Sequence, residues 1–221
     1  MKRLSGLLFI GMLAICVEAQ PLKISTSFSD GALDIYAAFT GKTVLRPCQL
    51  PKLQEPNFPK DFTNRSDMVV FIEKEYTKIG YEFVPAGEKF VMVIQTKTRT
   101  NTLFATQLSR FQPPALNTNP PAVSPAVAGM VAAGTINFQI VPISDVLEIY
   151  SALLRCKIVQ PTALPVVCIT LRTQQSLTRE EVIYALNITM VLNGIVPIDD
   201  GGGNISIVPL DRVSLEKFGP K

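Results

Sequence analysis

The 221-residue chain sets 21 Lys and Arg against 18 Asp and Glu, and its net charge of +3 is spread too thinly to form a nucleic-acid surface. It has no histidine, which excludes Ser-His-Asp and Cys-His nucleophile systems and the usual zinc sites. At 47% hydrophobic residues it can build its own core, in one domain or two.

Residues 1–19 open with basic Lys2 and Arg3, continue through an apolar run from Leu7 to Val17, and close on Val17-Glu18-Ala19. This pattern reads as a secretory signal peptide cleaved after Ala19. The apolar run is shorter than the roughly 20 residues needed to span a bilayer, and no later segment qualifies as a transmembrane helix. Cleavage would leave Cys48, Cys156 and Cys168, an odd and low number that does not make a disulfide framework.

A first module is expected over 20–97. It begins with a strand over 23–28 and a helix whose apolar face is Ala32, Ile35, Tyr36 and Phe39, ended by Gly41. The β-branched run Thr43-Val44-Leu45 predicts a short strand stopped by Pro47. The stretch KLQEPNFPK at 52–60 carries prolines that leave any strand there short, bulged or missing. Asn64 and Asp67 then stand at the start of a second helix with the face Met68, Phe71, Ile72, Tyr76 and Ile79. Gly80 ends it, and a hairpin turning at Ala86-Gly87-Glu88 follows.

Residues 98–134 are rich in Pro, Ala, Thr and Asn, carry only Arg99 and Arg110 as charges, and lack apparent periodicity. They predict a flexible, disordered linker, partly extended. A second module is expected over 135–211, followed by a tail at 212–221. It offers a strand over 136–141 and a helix with the face Val146, Ile149, Tyr150 and Leu153. Arg155 stands where the first module has Gly41, so that helix is expected to end differently. Lys157-Ile158-Val159, stopped by Pro161, and residues 166–171 predict two further strands. Thr178 and Glu181 form a capping box for a helix with the face Val182, Ala185, Leu186, Thr189 and Met190. Gly194 ends it, and Asp200-Gly201-Gly202-Gly203 turns a last hairpin.

The two modules repeat each other. Shifted by 114 residues, 33–94 aligns with 147–208 without a gap, and Leu33, Ile35, Tyr36, Ala38, Pro47, Leu50, Pro51, Arg65, Gly80 and Gly87 recur. Turn and cap residues fall at equal positions while the apolar period is kept, the mark of an internal repeat. The predicted class is therefore α+β: two tandem small sandwiches, each with two helices on a small mixed sheet, joined by the linker.

The opening strand with Ile136-Asn137-Phe138, the helix at Leu147-Glu148-Ile149, Lys157-Ile158-Val159 closing on Pro161, and the phrases SLTREEVIYAL, VLNGIVPI and NISIVPL form an ordered set. This set resembles a periplasmic N-terminal ring domain of secretins, the outer-membrane channels of type II secretion and type IV pilus machines. The resemblance covers about 75 residues of the second module and, through the repeat, the first more loosely. It implies KH-like modules that contact other parts of an envelope machine, in the periplasm and in association with the outer membrane. The family's Gly-rich, barrel-forming segment is not among these residues, so channel formation by this chain alone is not expected.

The chemistry-bearing residues have simpler duties. Glu181 of the pair Glu180-Glu181 caps a helix, Asp199-Asp200 precede a Gly-rich turn, and DDGGGN at 199–204 lacks the helix start and lysine of a phosphate loop. Glu73, Lys74 and Lys78 read as a solvated helix face. Cys156 and Cys168 lie at equal distances in sequence from Thr162, across a turn. They are two buried free thiols unless their strands pair directly, in which case they are the candidate disulfide and Cys48 is left over. No catalytic, cofactor-binding or metal-binding residue is assigned. The function expected is non-enzymatic protein–protein contact, as an accessory or partial component of a secretin-type secretion or pilus system. Its expected partners are envelope secretion or pilus proteins, another copy, or a secretin channel subunit. The alternatives are a periplasmic ligand- or peptidoglycan-binding module and the remnant of a truncated secretin.

Overall fold

A computed structural model describes residues 28–50, 64–113, 129–160 and 164–213. Over these residues the protein is a mixed α+β structure with small sheets and six helices. The expected signal peptide, residues 23–27 of the strand expected over 23–28, the proline-rich stretch at 52–60, residues 114–128 of the expected linker, and most of the C-terminal tail lie outside the described residues, while Phe28, the expected end of that strand, instead begins a helix.

The first half runs α1 (Phe28–Thr40), β1 (Thr43–Leu45), α2 (Arg65–Lys78), β2 (Tyr81–Pro85) and β3 (Phe90–Gln95). The second contains β5 (Asn137–Pro142), α5 (Ile143–Leu154), β6 (Lys157–Val159), β7 (Cys168–Arg172), β8 (Leu177–Thr178), α6 (Arg179–Leu192), β9 (Ile195–Asp199) and β10 (Asn204–Pro209). Between them stand α3 (Thr96–Arg99), α4 (Thr102–Arg110) and β4 (Met130–Val131).

Each half builds a three-stranded sheet of the same topology, β1-β3-β2 and β6-β10-β9, with the first pair parallel and the second antiparallel. The register repeats to the residue. Val44 pairs with Val91 as Ile158 pairs with Ile205, and Phe83 pairs with Val93 as Pro197 pairs with Ile207, each shifted by the same 114 residues. Because a slip of one residue would turn every side chain to the opposite face, equal register gives the two sheets equivalent faces.

The helix ends follow the same rule. Thr178 caps α6 through the reciprocal capping box with Glu181, whereas Asn64 caps α2 by accepting from the Ser66 N–H alone. Gly80 and Gly194, with φ of 83° and 79°, turn the chain out of α2 and α6. At the end of α5 the expectation of a different cap is overturned: Arg155 takes the left-handed conformation, φ 54° and ψ 37°, at the position of Gly41 with φ 67°. The neighbouring ladder holds the backbone path in both halves, and the side chain in the second bears the steric cost.

The apolar faces of the first helices are rotated from those expected. Ala32, Leu33, Tyr36 and Ala37 are buried in α1, and Ile143, Val146, Leu147 and Tyr150 in α5, while Ile149 is 39% exposed. The second half is also more than two helices on one sheet. Strand β7 pairs antiparallel with β5 as a separate ladder, with an irregularity between Phe138 and Val141. Helices α5 and α6 contact both this ladder and strands of the three-stranded sheet.

The expected disordered linker is replaced at both its ends by ordered structure. Asn101 caps α4 by accepting from the Leu103 and Phe104 N–H groups, and Phe104 and Gln107 are buried. Phe104 clusters with Ile94, Val191, Val196 and Val213, and Met130 and Val131 pair with Thr178 and Leu177. Burial of this one apolar helix face offsets the ordering cost that the overall composition of 98–134 suggested would prevail.

The two halves share their interior. On β3, Val91 and Val93 join the core beneath α1 and α2, while Phe90 and Leu45 of the same sheet join the large cluster of Tyr184, Leu186, Ile188, Ile195 and Ile207. The first sheet is thus covered on one face by its own helices and on the other by the second half.

Candidate functional site

The seam between the halves gathers several of the residues singled out from the sequence. Strand β7 pairs with β5, and β6 pairs with β10, so Cys156 and Cys168 do not sit on paired strands. The candidate Cys156–Cys168 disulfide is therefore corrected. Strand β7 instead runs beside β1, and Cys168 is bonded to Cys48 with a Cα–Cα distance of 5.9 Å, leaving Cys156 free and half-buried. The bond ties one half to the other across 120 residues of chain.

Polar contacts run along the same seam. The Cys48 N–H donates to Asn193 Oδ1 at 2.7 Å, the Gln174 N–H to Thr43 Oγ1 at 3.1 Å, and Gln175 Nε2 to the Gly41 carbonyl at 2.6 Å. Lys89 pairs with Glu181 at 2.8 Å, so one carboxylate closes the capping box and bridges the halves. Both side chains are largely covered by protein, a setting in which removing either charge is felt more than at an exposed pair. The Phe90 and Tyr184 rings meet at 5.4 Å.

A cleft opens at this seam between Leu33, Asp34 and Ala37 of α1, Val44 of β1 and the following Arg46, and Thr170 and Arg172 of β7 with Gln174 after it. Its interior offers about 30 Å³, enough to hold ordered water.

The acidic candidates take structural positions. Asp199 accepts from the Gly201 N–H at 2.8 Å, and Asp200 from Gly202 at 2.8 Å and Asn204 at 3.2 Å, which shapes the hairpin turn. The Gly202 N–H is the main reason the Asp200 carboxyl is held below its ordinary range. Among the described residues no cluster of three carboxylates or thiols is placed to hold a metal ion. Glu180 is exposed, as are Lys74 and Lys78, and Lys78 pairs with Glu75 one turn away.

Glu73 does more than face solvent. It accepts from the Tyr36 hydroxyl at 2.9 Å, and at the equivalent place in the second half Asn187 accepts from the Tyr150 hydroxyl at 2.5 Å. These ties between first and second helix were missed from the sequence, although the recurrence of Tyr36 as Tyr150 was the signal for them. Burial, with Glu73 adding to it in the first half, pushes both phenols well above their usual range.

The seam also marks what is bare elsewhere. Strand β1 is buried throughout, whereas its counterpart β6 is exposed at both ends, with Val159 42% exposed at the position of fully buried Leu45. On α2, Val70 is 62% exposed, and Ile79, the residue that caps its C-terminal end, is 38% exposed. Among the described residues no helix is long and apolar enough to cross a membrane. No family model, curated protein or solved structure matches the chain.

Proposed function

We propose that this protein is an exported, non-enzymatic docking protein made of two secretin-N-like modules, working by protein–protein contact as an accessory or partial component of a bacterial secretin-type secretion or pilus system. Its place on this reading is the periplasm, in association with the outer membrane. The observation that carries the proposal is the residue-exact repetition of one helix–strand–helix–strand–strand unit, which accords with the tandem modules implied by the resemblance. Two further observations support it. A disulfide between distant residues persists in oxidising compartments and is rare in the cytosol, which favours export. The chain has no histidine, and Glu181 is engaged in a helix cap and Asp199 and Asp200 in a turn, which supports a role through surfaces in preference to reactive groups.

The test is expression of the full chain in a bacterium that carries such a system, followed by fractionation and cross-linking. Recovery in the periplasmic fraction, with a secretin channel subunit or another envelope component of that system cross-linked to it, is the expected result. Retention in the cytosol, or capture of no envelope protein, would overturn the proposal.

A further inference from the structure

Of the three cysteines that follow the expected cleavage point, the structure joins the two farthest apart in sequence, Cys48 and Cys168, and passes over Cys156. In an unfolded chain the preference runs the other way. Cys156 stands 12 residues before Cys168, against 120 for Cys48. The entropic cost of closing a loop rises as three-halves of the logarithm of its length, so the tenfold shorter loop closes about thirtyfold more readily. The bond that an unfolded chain favours is therefore Cys156–Cys168. The fold then forbids it. Cys168 pairs with Pro142 at the start of α5, whereas Cys156 lies just past the other end of that helix, behind the left-handed Arg155 and with its carbonyl accepting from the Ser151 hydroxyl at 2.7 Å. A helix of 12 residues is about 18 Å long, and two cysteines can be bridged only within about 7 Å between Cα atoms. Cys48, in contrast, is brought to 5.9 Å from Cys168, with its N–H held by Asn193.

We propose that Cys156 is a relay thiol in oxidative folding: it pairs first with Cys168, and folding then passes that bond to Cys48. The first bond forms at the expense of a small disulfide oxidant, glutathione disulfide, which takes two electrons and two protons from the two thiols and becomes two glutathiones. In the second step the Cys48 thiolate attacks Sγ of Cys168. The Cys156–Cys168 bond breaks as the Cys48–Cys168 bond forms, and Cys156 leaves as a thiolate that takes up the proton Cys48 gave up. One disulfide replaces another, so this step consumes no oxidant. Its direction comes from packing, because α5 and the β5–β7 ladder cannot form around the first bond, and once they have formed Cys156 is out of reach of the second. The free, half-buried thiol of Cys156 is the leaving group of that completed exchange. The inference rests on the export reading, which supplies an oxidising compartment, but on no envelope partner: the exchange can fail in purified chains while such a partner is captured, and can succeed where none exists.

The test starts from the whole chain carrying Cys16→Ser, so that signal cleavage does not affect the result, reduced and unfolded in urea. Equilibrated with a glutathione redox buffer, then quenched in acid, alkylated and mapped, it should carry Cys156–Cys168 over Cys48–Cys168 by about thirtyfold. Removal of glutathione and dilution of the urea should transfer the bond to Cys48–Cys168 and leave Cys156 as the alkylated thiol. In the same background Cys48→Ser, which lacks the attacking group, should keep Cys156–Cys168 after dilution. Cys156→Ser should need a glutathione buffer about thirtyfold more oxidising to close its one bond in urea, yet match the parent's urea midpoint once oxidised and folded. Cys48–Cys168 as the predominant bond in urea, a Cys156–Cys168 bond that survives dilution in a chain retaining Cys48, or equal glutathione requirements for the parent and Cys156→Ser would each overturn the proposal.

Discussion

Helices α2 and α6 occupy the same place in the two halves, spanning Arg65–Lys78 and Arg179–Leu192, yet they meet opposite surroundings. Helix α2 buries one stripe, Met68, Ile72 and Tyr76, and packs chiefly on α1 and β2. Helix α6 is buried from Val182 to Val191 with Ile183 as the single partly covered exception, touching α4, α5, β1, β7, β8 and β9. Residue by residue the repeat records this difference. Lys74, Thr77 and Lys78 of α2 stand opposite Ile188, Val191 and Leu192 of α6. Polar groups on α2 keep their water, whereas on α6 each would be stripped of it, so an identical backbone demands different side chains. The same contrast separates the buried strand β1 from the exposed strand β6.

Exchanging residues between the two helices is the severest way to break this comparison. Ile188→Lys places a charge where the side chain is 1% exposed and should cost more than about 4 kcal/mol, enough to remove folded protein from the soluble fraction. The reciprocal Lys74→Ile, at an exposed site, should change stability by less than about 0.5 kcal/mol in urea unfolding. Comparable losses for the two would refute the assignment of α6 as the central helix.

Breaking the covalent tie comes next. Cys168→Ser should cost about 2–5 kcal/mol, because the bond closes a loop of more than a hundred residues, while Cys156→Ser should be nearly neutral. Peptide mapping without reduction should recover the Cys48 and Cys168 peptides joined. A Cys156–Cys168 peptide in their place would restore the pairing expected from sequence.

The helix-to-helix tyrosine ties sharpen the comparison further. Tyr150→Phe leaves the buried Asn187 without its donor and should cost about 1–3 kcal/mol, and Tyr36→Phe, whose acceptor Glu73 reaches solvent more readily, about 0.5–1.5 kcal/mol. Alkaline titration probes the same core. Burial raises the folded-state pKa of Tyr36 and Tyr150, and that of Tyr184 to about 12, above the ordinary value of 10. The unfolded chain therefore releases these protons first. Their stabilising contribution is complete below about pH 10 and is lost as pH rises through the folded values. A thermal midpoint unchanged between pH 9 and pH 11.5 would contradict burial of these phenols.

The smallest effect is a gain. Arg155→Gly relieves a left-handed side chain and should stabilise by about 1 kcal/mol, provided that relief exceeds the added flexibility of the unfolded chain. Gly41→Ala, the matching change in the first half, should destabilise by a similar amount. Equal signs for the two would mean that the caps are not equivalent.

Local interactions made much of this protein legible before any tertiary contact was considered. Thr43–Leu45 and Lys157–Val159 are strands with the bounds that their β-branched runs and following prolines predicted, and Thr178 with Glu181 forms the expected capping box. The 114-residue offset proved to be the register offset as well. The chemistry was less legible. Glu73 carries no local sign that Tyr36 will reach it, and the partner of Cys168 depends on which strand lies beside β7.

The amino-acid sequence by itself thus determined the two-fold pattern of helices, strands, caps and turns, because these depend on side chains within a few residues of one another. Only the tertiary structure decided that the halves share a core, that Asn101 to Arg110 folds onto it, that Cys48 takes Cys168, and which of two equivalent helices lies at the centre. Those outcomes depend on segments distant in the chain competing to exclude water from the same surface, and no local pattern ranks the competitors.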